Sequence, residues 1–157
     1  MNLHLTPRSI YFVRHAESLF NLENRVGGDA DLSERGYAYL PKLNAFFQEE
    51  AQQGRVNQNA KILTSTLRRA IITAKAIELG AAPVSLKMLD ELDAGICDSL
   101  DYKEVEEKFP EEWKARTNDK LKYRYPMGES YLDLILRVEP IIFAIERSQD
   151  PVIVVKE

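Results

Sequence analysis

The stretch "SIYFVRHAESLFN", residues 9–21, decides the fold. Four apolar residues, Ile10, Tyr11, Phe12 and Val13, run straight into Arg14 and His15, and Glu17, Ser18 and Asn21 follow. A short apolar run of that length suits a strand buried in a sheet. In open α/β sheets, sites form beyond the carboxyl ends of the strands, which is where a guanidinium and an imidazole would then stand. An Arg-His pair on the surface after a strand is an equally ordinary reading of this stretch alone. The rest of the chain has to choose between them.

Outward from that strand, the pattern alternates. "RVGGDADLS" is a Gly-containing loop, and Ser33 reads as the N-cap of a helix through "ERGYAYLPKLNAFFQEEAQQ", which Pro41 is expected to bend or break. "AKILTS" reads as a second strand, and "TLRRAIITAKAIELG" as a helix stopped by Gly80. "VSLKMLDELDAG" starts like a strand and becomes a polar loop. Helical pieces are expected over 103–109 and 111–116, divided by Pro110. The loop "DKLKYRYPMGES" leads to a long amphipathic segment over 131–147, interrupted by Pro140, and "PVIVV" is a last strand. Strands alternating with helices predict an α/β fold, a mainly parallel sheet in a three-layer αβα arrangement.

Composition narrows the function classes. A chain of 157 residues reads as one domain with a real core, and 45% hydrophobic and 29% charged residues are ordinary for a globular protein. A net charge of −4 argues against a broad grip on nucleic acid or on an anionic membrane. Cys97 is the single cysteine, so no disulfide forms within the chain and no cysteine cluster holds a metal; it is expected as a small buried apolar residue. No apolar stretch approaches membrane-spanning length and no leader pattern opens the chain, which makes an intracellular, cytoplasmic protein the simplest expectation.

The scattered polar residues fit one chemistry. Arg14 and His15 end the first strand, Arg69 falls early in the helix after "ILTS", with Arg68 free to point elsewhere, and Glu91 sits in the loop after the third strand-like segment. Arginine forks match phosphate oxygens in pairs. Flanking guanidinium charges keep an imidazole deprotonated, leaving a lone pair for attack on phosphorus. A carboxylic acid can protonate the departing alkoxide. Each residue also has a plain role available: Arg69 as a helix-surface charge, Glu91 as a solvated loop residue, Asn21 as a cap. Their arrival on one sheet edge is what favours phosphoryl transfer, with no cofactor and no metal expected.

"RHAES" with Asn21 after it, "GGDADLSERG", "LTSTLRRAIITA" and "ELDAG" resemble the ordered signatures of the histidine phosphatase superfamily, the phosphoglycerate-mutase-like fold. From "ELDAGICDSL" to "LRVEP", and above all in "YRYPMGESY" after "PEEWKAR", the chain resembles the fructose-2,6-bisphosphatase domain of bifunctional 6-phosphofructo-2-kinase/fructose-2,6-bisphosphatases. The resemblance implies His15 as the nucleophile, Arg14, Asn21 and Arg69 as the clamp on the reacting phosphate, and Glu91 as the general acid. It also implies Gly28 among the substrate-binding positions, and Tyr102, Arg116, Lys120 and Tyr131 around the phosphate on carbon 6 of a sugar bisphosphate. "ARTNDKLKYRY" agrees, since it gathers Arg116, Lys120, Lys122 and Arg124 in an otherwise acidic protein.

Two departures follow from the same resemblance. Ala16 stands where the family often has Gly, which would cost on the order of 1 kcal/mol if that position needs positive φ. A second catalytic histidine is implied after the last strand, where this chain has Lys156 and Glu157, and His4 is the only other histidine. The expectation is therefore one domain over residues 1–157 with its C-terminal part missing, slow in turnover, and with apolar sheet surface left wet. No P-loop pattern occurs, so no kinase domain is expected in the chain; a kinase domain or dimer partner in a longer product stays open. Three readings stay open: a sugar-bisphosphate phosphatase, a phosphosugar-binding pseudo-enzyme, and another mutase or phosphomonoesterase of the superfamily.

Overall fold

Residues 152–155, "VIVV", are apolar at every position, the pattern of a strand covered on both faces. The computed structural model, which describes residues 7–156, puts them at the centre of a parallel sheet. In chain order the elements are β1 (Ile10–Arg14), α1 (Leu19–Leu22), α2 (Glu34–Gln52), β2 (Lys61–Thr64), α3 (Arg68–Lys75), β3 (Val84–Ser85), α4 (Tyr102–Lys108), α5 (Pro110–Asn118), α6 (Tyr131–Arg147) and β4 (Val152–Lys156), with short 3-10 turns at Lys87–Leu89 and Gly95–Cys97. The strand order is β1-β4-β2-β3, so the last strand slots between the first two. Val155 pairs with both Val13 and Thr64, which brings the carboxyl ends of the three strands level.

Three cores result. On one face of the sheet, Leu43 and Phe47 of α2 and Ala74 of α3 pack with Ile62, Ile153 and Val155. On the other, Ile141 and Ile145 of α6 pack with Leu89, Val152 and Val154. These two give the expected αβα layers. Away from the sheet, Ala94, Cys97, Val105 and Tyr125 form a third core, with Leu92, Phe109, Trp113 and Tyr123 around it. Cys97 is buried there, as expected, and burial pushes its thiol pKa up. At the outer strand, β1, Phe12 is 74% exposed.

The prolines correct the reading of the helices. α2 and α6 run unbroken through Pro41 and Pro140. A helical proline releases the carbonyl four residues earlier, and here those belong to Tyr37 and Leu136, both exposed, so water can satisfy them. Leu43, Phe47, Ile141 and Ile145 hold the buried sides in register. Pro110 acts as expected, opening α5 at its first position while Phe109 caps both α4 and α5. α3 stops at Lys75, short of Gly80, because Ile77 and Leu79 leave the helix to fill the α2-side core. α1 was not anticipated; Ser18 and Asn21 build its capping box.

Phe47 is 0% exposed and meets Tyr11 and Phe46 edge-on at 5.3 and 5.2 Å between centroids. Phe47→Ala is expected to lower stability by about 3–5 kcal/mol. Urea unfolding followed by circular dichroism measures this, and an unchanged midpoint would show that the α2 face is not core.

Candidate active site

The site begins where the sheet stops. The His15 N–H donates to the Lys156 carbonyl at 2.9 Å, extending the β1–β4 ladder by one bond and fixing the backbone beyond Arg14. The Ala16 N–H donates to Thr73 Oγ1 at 2.9 Å, and that hydroxyl donates to the Arg69 carbonyl at 2.7 Å. One threonine thus joins the β1 loop to α3. Among the described non-glycine residues, positive φ occurs at Asn24, Ser99 and Met127. Ala16 is not one of them, so its methyl carries no such strain and replaces glycine there without that cost.

The His15 ring is 6% exposed, and its Nδ1 lies 2.6 Å from the Ala16 carbonyl. A carbonyl can only accept, which assigns the proton to Nδ1 and leaves the lone pair on Nε2. Burial lowers the imidazole pKa to about 4; the Ala16 carbonyl opposes this, and the charges of Arg69 and Arg14 add to it. The ring is neutral at pH 7.

Arg69 is 2% exposed. It donates to the Gly28 carbonyl at 2.7 Å and to Glu91 Oε2 at 2.5 Å. Burial raises the Glu91 pKa above the ordinary carboxyl value, against the pull of Arg69; Asp98 pushes the same way as burial, and Arg14 and Lys156 oppose it. Gly28 holds φ at 66°, and a Cβ there would come within 2.3 Å of the Phe20 ring, so a side chain is excluded by both strain and space. Its N–H donates to Asp98 Oδ1 at 2.9 Å, and Asp98 belongs to the segment that leads into α4.

Asn21 does serve as a cap: its Oδ1 accepts from the Ser18 N–H at 2.9 Å. It also lines a cleft of about 190 Å³ with Arg14, His15 and Glu17. A second cleft, about 310 Å³, has Gly28, Glu91 and Asp98 in its walls. The largest one, about 590 Å³, runs along β1 and α2 past Phe12, Tyr39 and Phe46; its lining is mainly apolar, and the ionisable groups converge elsewhere. Arg68 turns outward to Asp31 at 3.0 Å.

The second group is partly assembled. The Arg116 guanidinium lies 5.6 Å from the Tyr102 ring centroid and 6.0 Å from those of Trp113 and Tyr125, and its Nε donates to the Tyr125 hydroxyl at 2.5 Å. Lys120 is exposed after α5, and Tyr131 opens α6 at 38% exposure; no hydrogen bond joins either to Arg116 or Tyr102. Arg124, counted in the basic cluster, instead pairs with Asp133 at 2.5 Å. Sequence reasoning missed Tyr125 and Thr73. The Thr73 signal was available, since it follows Arg69 by one helical turn and so shares its face.

Comparison with known proteins agrees with this geometry. Residues 10–156 match the family described as the histidine phosphatase superfamily, branch 1. The chain belongs to that family. It is 46% identical to an Arabidopsis thaliana 6-phosphofructo-2-kinase/fructose-2,6-bisphosphatase over 99% of its own length and 20% of the relative's. It is 44% identical to a Saccharomyces cerevisiae fructose-2,6-bisphosphatase, over 98% of this chain and 33% of that one. The chain therefore spans a third or less of these relatives. Two solved structures share the fold: a mycobacterial glucosyl-3-phosphoglycerate phosphatase in complex with VO3 (TM-score 0.78, 23% identity, 96% of this chain and 76% of that one) and the Shigella flexneri alpha-ribazole phosphatase (TM-score 0.80, 20% identity, 94% and 73%).

Because the folded pKa of His15, about 4, lies below its ordinary 6.5, the unfolded chain binds the extra proton first as pH falls. The neutral ring's contribution is complete above about pH 6.5 and is lost toward pH 4, a difference of about 3 kcal/mol. His15→Gln is expected to remove this part of the pH dependence. Urea unfolding of both proteins at pH 4.5 and 7 checks it; parallel slopes would show that His15 titrates normally.

Proposed function

We propose that the chain hydrolyses fructose 2,6-bisphosphate to fructose 6-phosphate and phosphate through a phosphohistidine on His15. One observation carries the reading: a buried imidazole with Nδ1–H fixed on a carbonyl, close enough to the ion pair of buried Arg69 and half-buried Glu91 to feel the Arg69 charge. The substrate is taken from the relatives 44–46% identical to the chain, a 6-phosphofructo-2-kinase/fructose-2,6-bisphosphatase and a fructose-2,6-bisphosphatase.

The substrate's carbon-2 phosphate docks against Arg14, Arg69 and Asn21. As an anion it competes with Glu91 for Arg69, and a carboxylate released in a buried site takes up a proton, the state a general acid needs. His15 Nε2 attacks phosphorus. The bond from phosphorus to the carbon-2 oxygen breaks, and Glu91 gives its proton to that oxygen. Water then attacks the phosphohistidine, losing a proton to the Glu91 carboxylate, and phosphate leaves with the imidazole neutral again. Arginine supplies electrostatic stabilisation where charge develops on the transferring oxygens.

The carbon-6 phosphate takes the Arg116 side, where three aromatic rings brace the guanidinium for paired contacts. Lys120 swings in from its loop, and Tyr102 and Tyr131 supply hydroxyls. Braced arginine and mobile lysine divide the work, the first giving geometry and the second charge.

Brief incubation with fructose 2,6-bisphosphate labelled on the carbon-2 phosphate is expected to put an acid-labile label on His15. Label on any other residue, or substrate bound with none transferred, refutes the mechanism. Glu91→Gln is expected to lower kcat by about a hundredfold or more with little change in KM. Arg116→Ala is expected to raise KM about tenfold or more with kcat nearly kept, since that phosphate is remote from the breaking bond. A KM for Arg116→Ala equal to that of the parent would remove the bisphosphate assignment.

A further inference from the structure

Glu91 stands on a segment with no regular structure between two 3-10 turns, an unpromising mount for a proton donor. Asp90 anchors the residue before it, accepting from the Thr66 N–H at 2.6 Å. Beyond that point the hold comes from α6. Arg137 Nη1 donates to the Met88 carbonyl at 2.8 Å and Nη2 to the Glu91 carbonyl at 2.9 Å. The same guanidinium grips the Glu129 carboxylate with Nε at 2.7 Å and Nη2 at 2.9 Å. Glu129 in turn accepts from the Asp93 N–H at 3.1 Å, and its own N–H donates to the Asp93 carbonyl at 2.9 Å. One ion pair therefore fastens the segment on both sides of Glu91.

We propose that Arg137, braced by Glu129, is a positioning residue that holds the Glu91 backbone so that its carboxyl meets Arg69. This rests on the reading of Glu91 as the proton donor, and two measurements separate that reading from the positioning. The first needs no turnover. In protein carrying carbon-13 glutamate, the Glu91 carboxyl, assigned with Glu91→Gln, is expected to titrate above the ordinary value. The charged groups acting on it are Arg69 on α3, Arg14 on β1, Lys156 on β4 and Asp98 before α4. Arg137→Met removes a cation, and by charge alone that raises the Glu91 midpoint further. Release of the carboxyl to solvent lowers it toward the ordinary value. A lowered midpoint is expected; an unchanged or higher one overturns the proposal.

The second measurement uses the leaving group. p-Nitrophenyl phosphate expels a phenolate that needs no proton, whereas the sugar alkoxide does. Because Glu91 also takes the proton of the attacking water for both esters, the rate compared is phosphoenzyme formation: Arg137→Met is expected to slow it about tenfold from the sugar ester and by less than about twofold from the aryl ester, the pattern of misplacing an acid. Equal slowing of both esters shows a merely structural role and overturns the proposal. If Glu91→Gln itself fails to discriminate the esters, the proton-donor reading falls, and the titration still decides the positioning. Should Arg137→Met not fold, Arg137→Lys keeps the charge but cannot reach both carbonyls and the carboxylate together. A folded Arg137→Lys with the parent midpoint and the parent ester ratio overturns the proposal equally.

Discussion

A guanidinium that is 2% exposed has to be paired, and the site is organised around meeting that need at Arg69. Burying a charge costs several kcal/mol, and removing one partner of a buried pair costs about 3–5 kcal/mol. Arg69 answers with the Gly28 carbonyl and the Glu91 carboxylate, brought from 41 and 22 residues away. Through its own carbonyl and Thr73 it also reaches Ala16, beside His15. Arg69, with Thr73 one turn on, thereby ties three separate segments to the sheet edge. The same burial sets the protonation states. Low polarity penalises charge whatever its sign, so it pushes His15 down and Glu91 up. A neutral imidazole and a carboxyl inclined to hold its proton are two consequences of the same burial.

Much of this was legible in the sequence because it rests on patterns with fixed periods. The apolar runs at 10–13 and 152–155 marked strands, and Arg14 and His15 just past the first pointed to a site at the sheet edge. What stayed hidden depended on which way a side chain faces. Pro41 and Pro140 looked like breaks, yet both released carbonyls lie on exposed turns. Arg124 looked like part of a phosphate pocket, but Asp133, also part of the capping box at Ser130, holds it. Asn21 carried two readings, cap and ligand, and the structure gives the cap while leaving the side chain at the cleft.

The third core explains how the Arg116 cluster can stand apart from the site around His15. Arg116 does not depend on the sheet; it is framed by Tyr102, Trp113 and Tyr125, which belong to α4, α5 and the loop after them. The tie to the first site is backbone. The Val26 N–H donates to the Leu100 carbonyl at 2.8 Å, the Ser99 N–H donates to the Val26 carbonyl at 2.7 Å, and Gly28 closes the seam onto Asp98. Main-chain bonds transmit position without depending on side-chain identity. Side chains can therefore change within the third core, while its spacing to His15 is kept by the seam. Gly28 is the exception, because it touches both halves: its carbonyl faces Arg69, its N–H faces Asp98, and its α-carbon has no room for a side chain against Phe20.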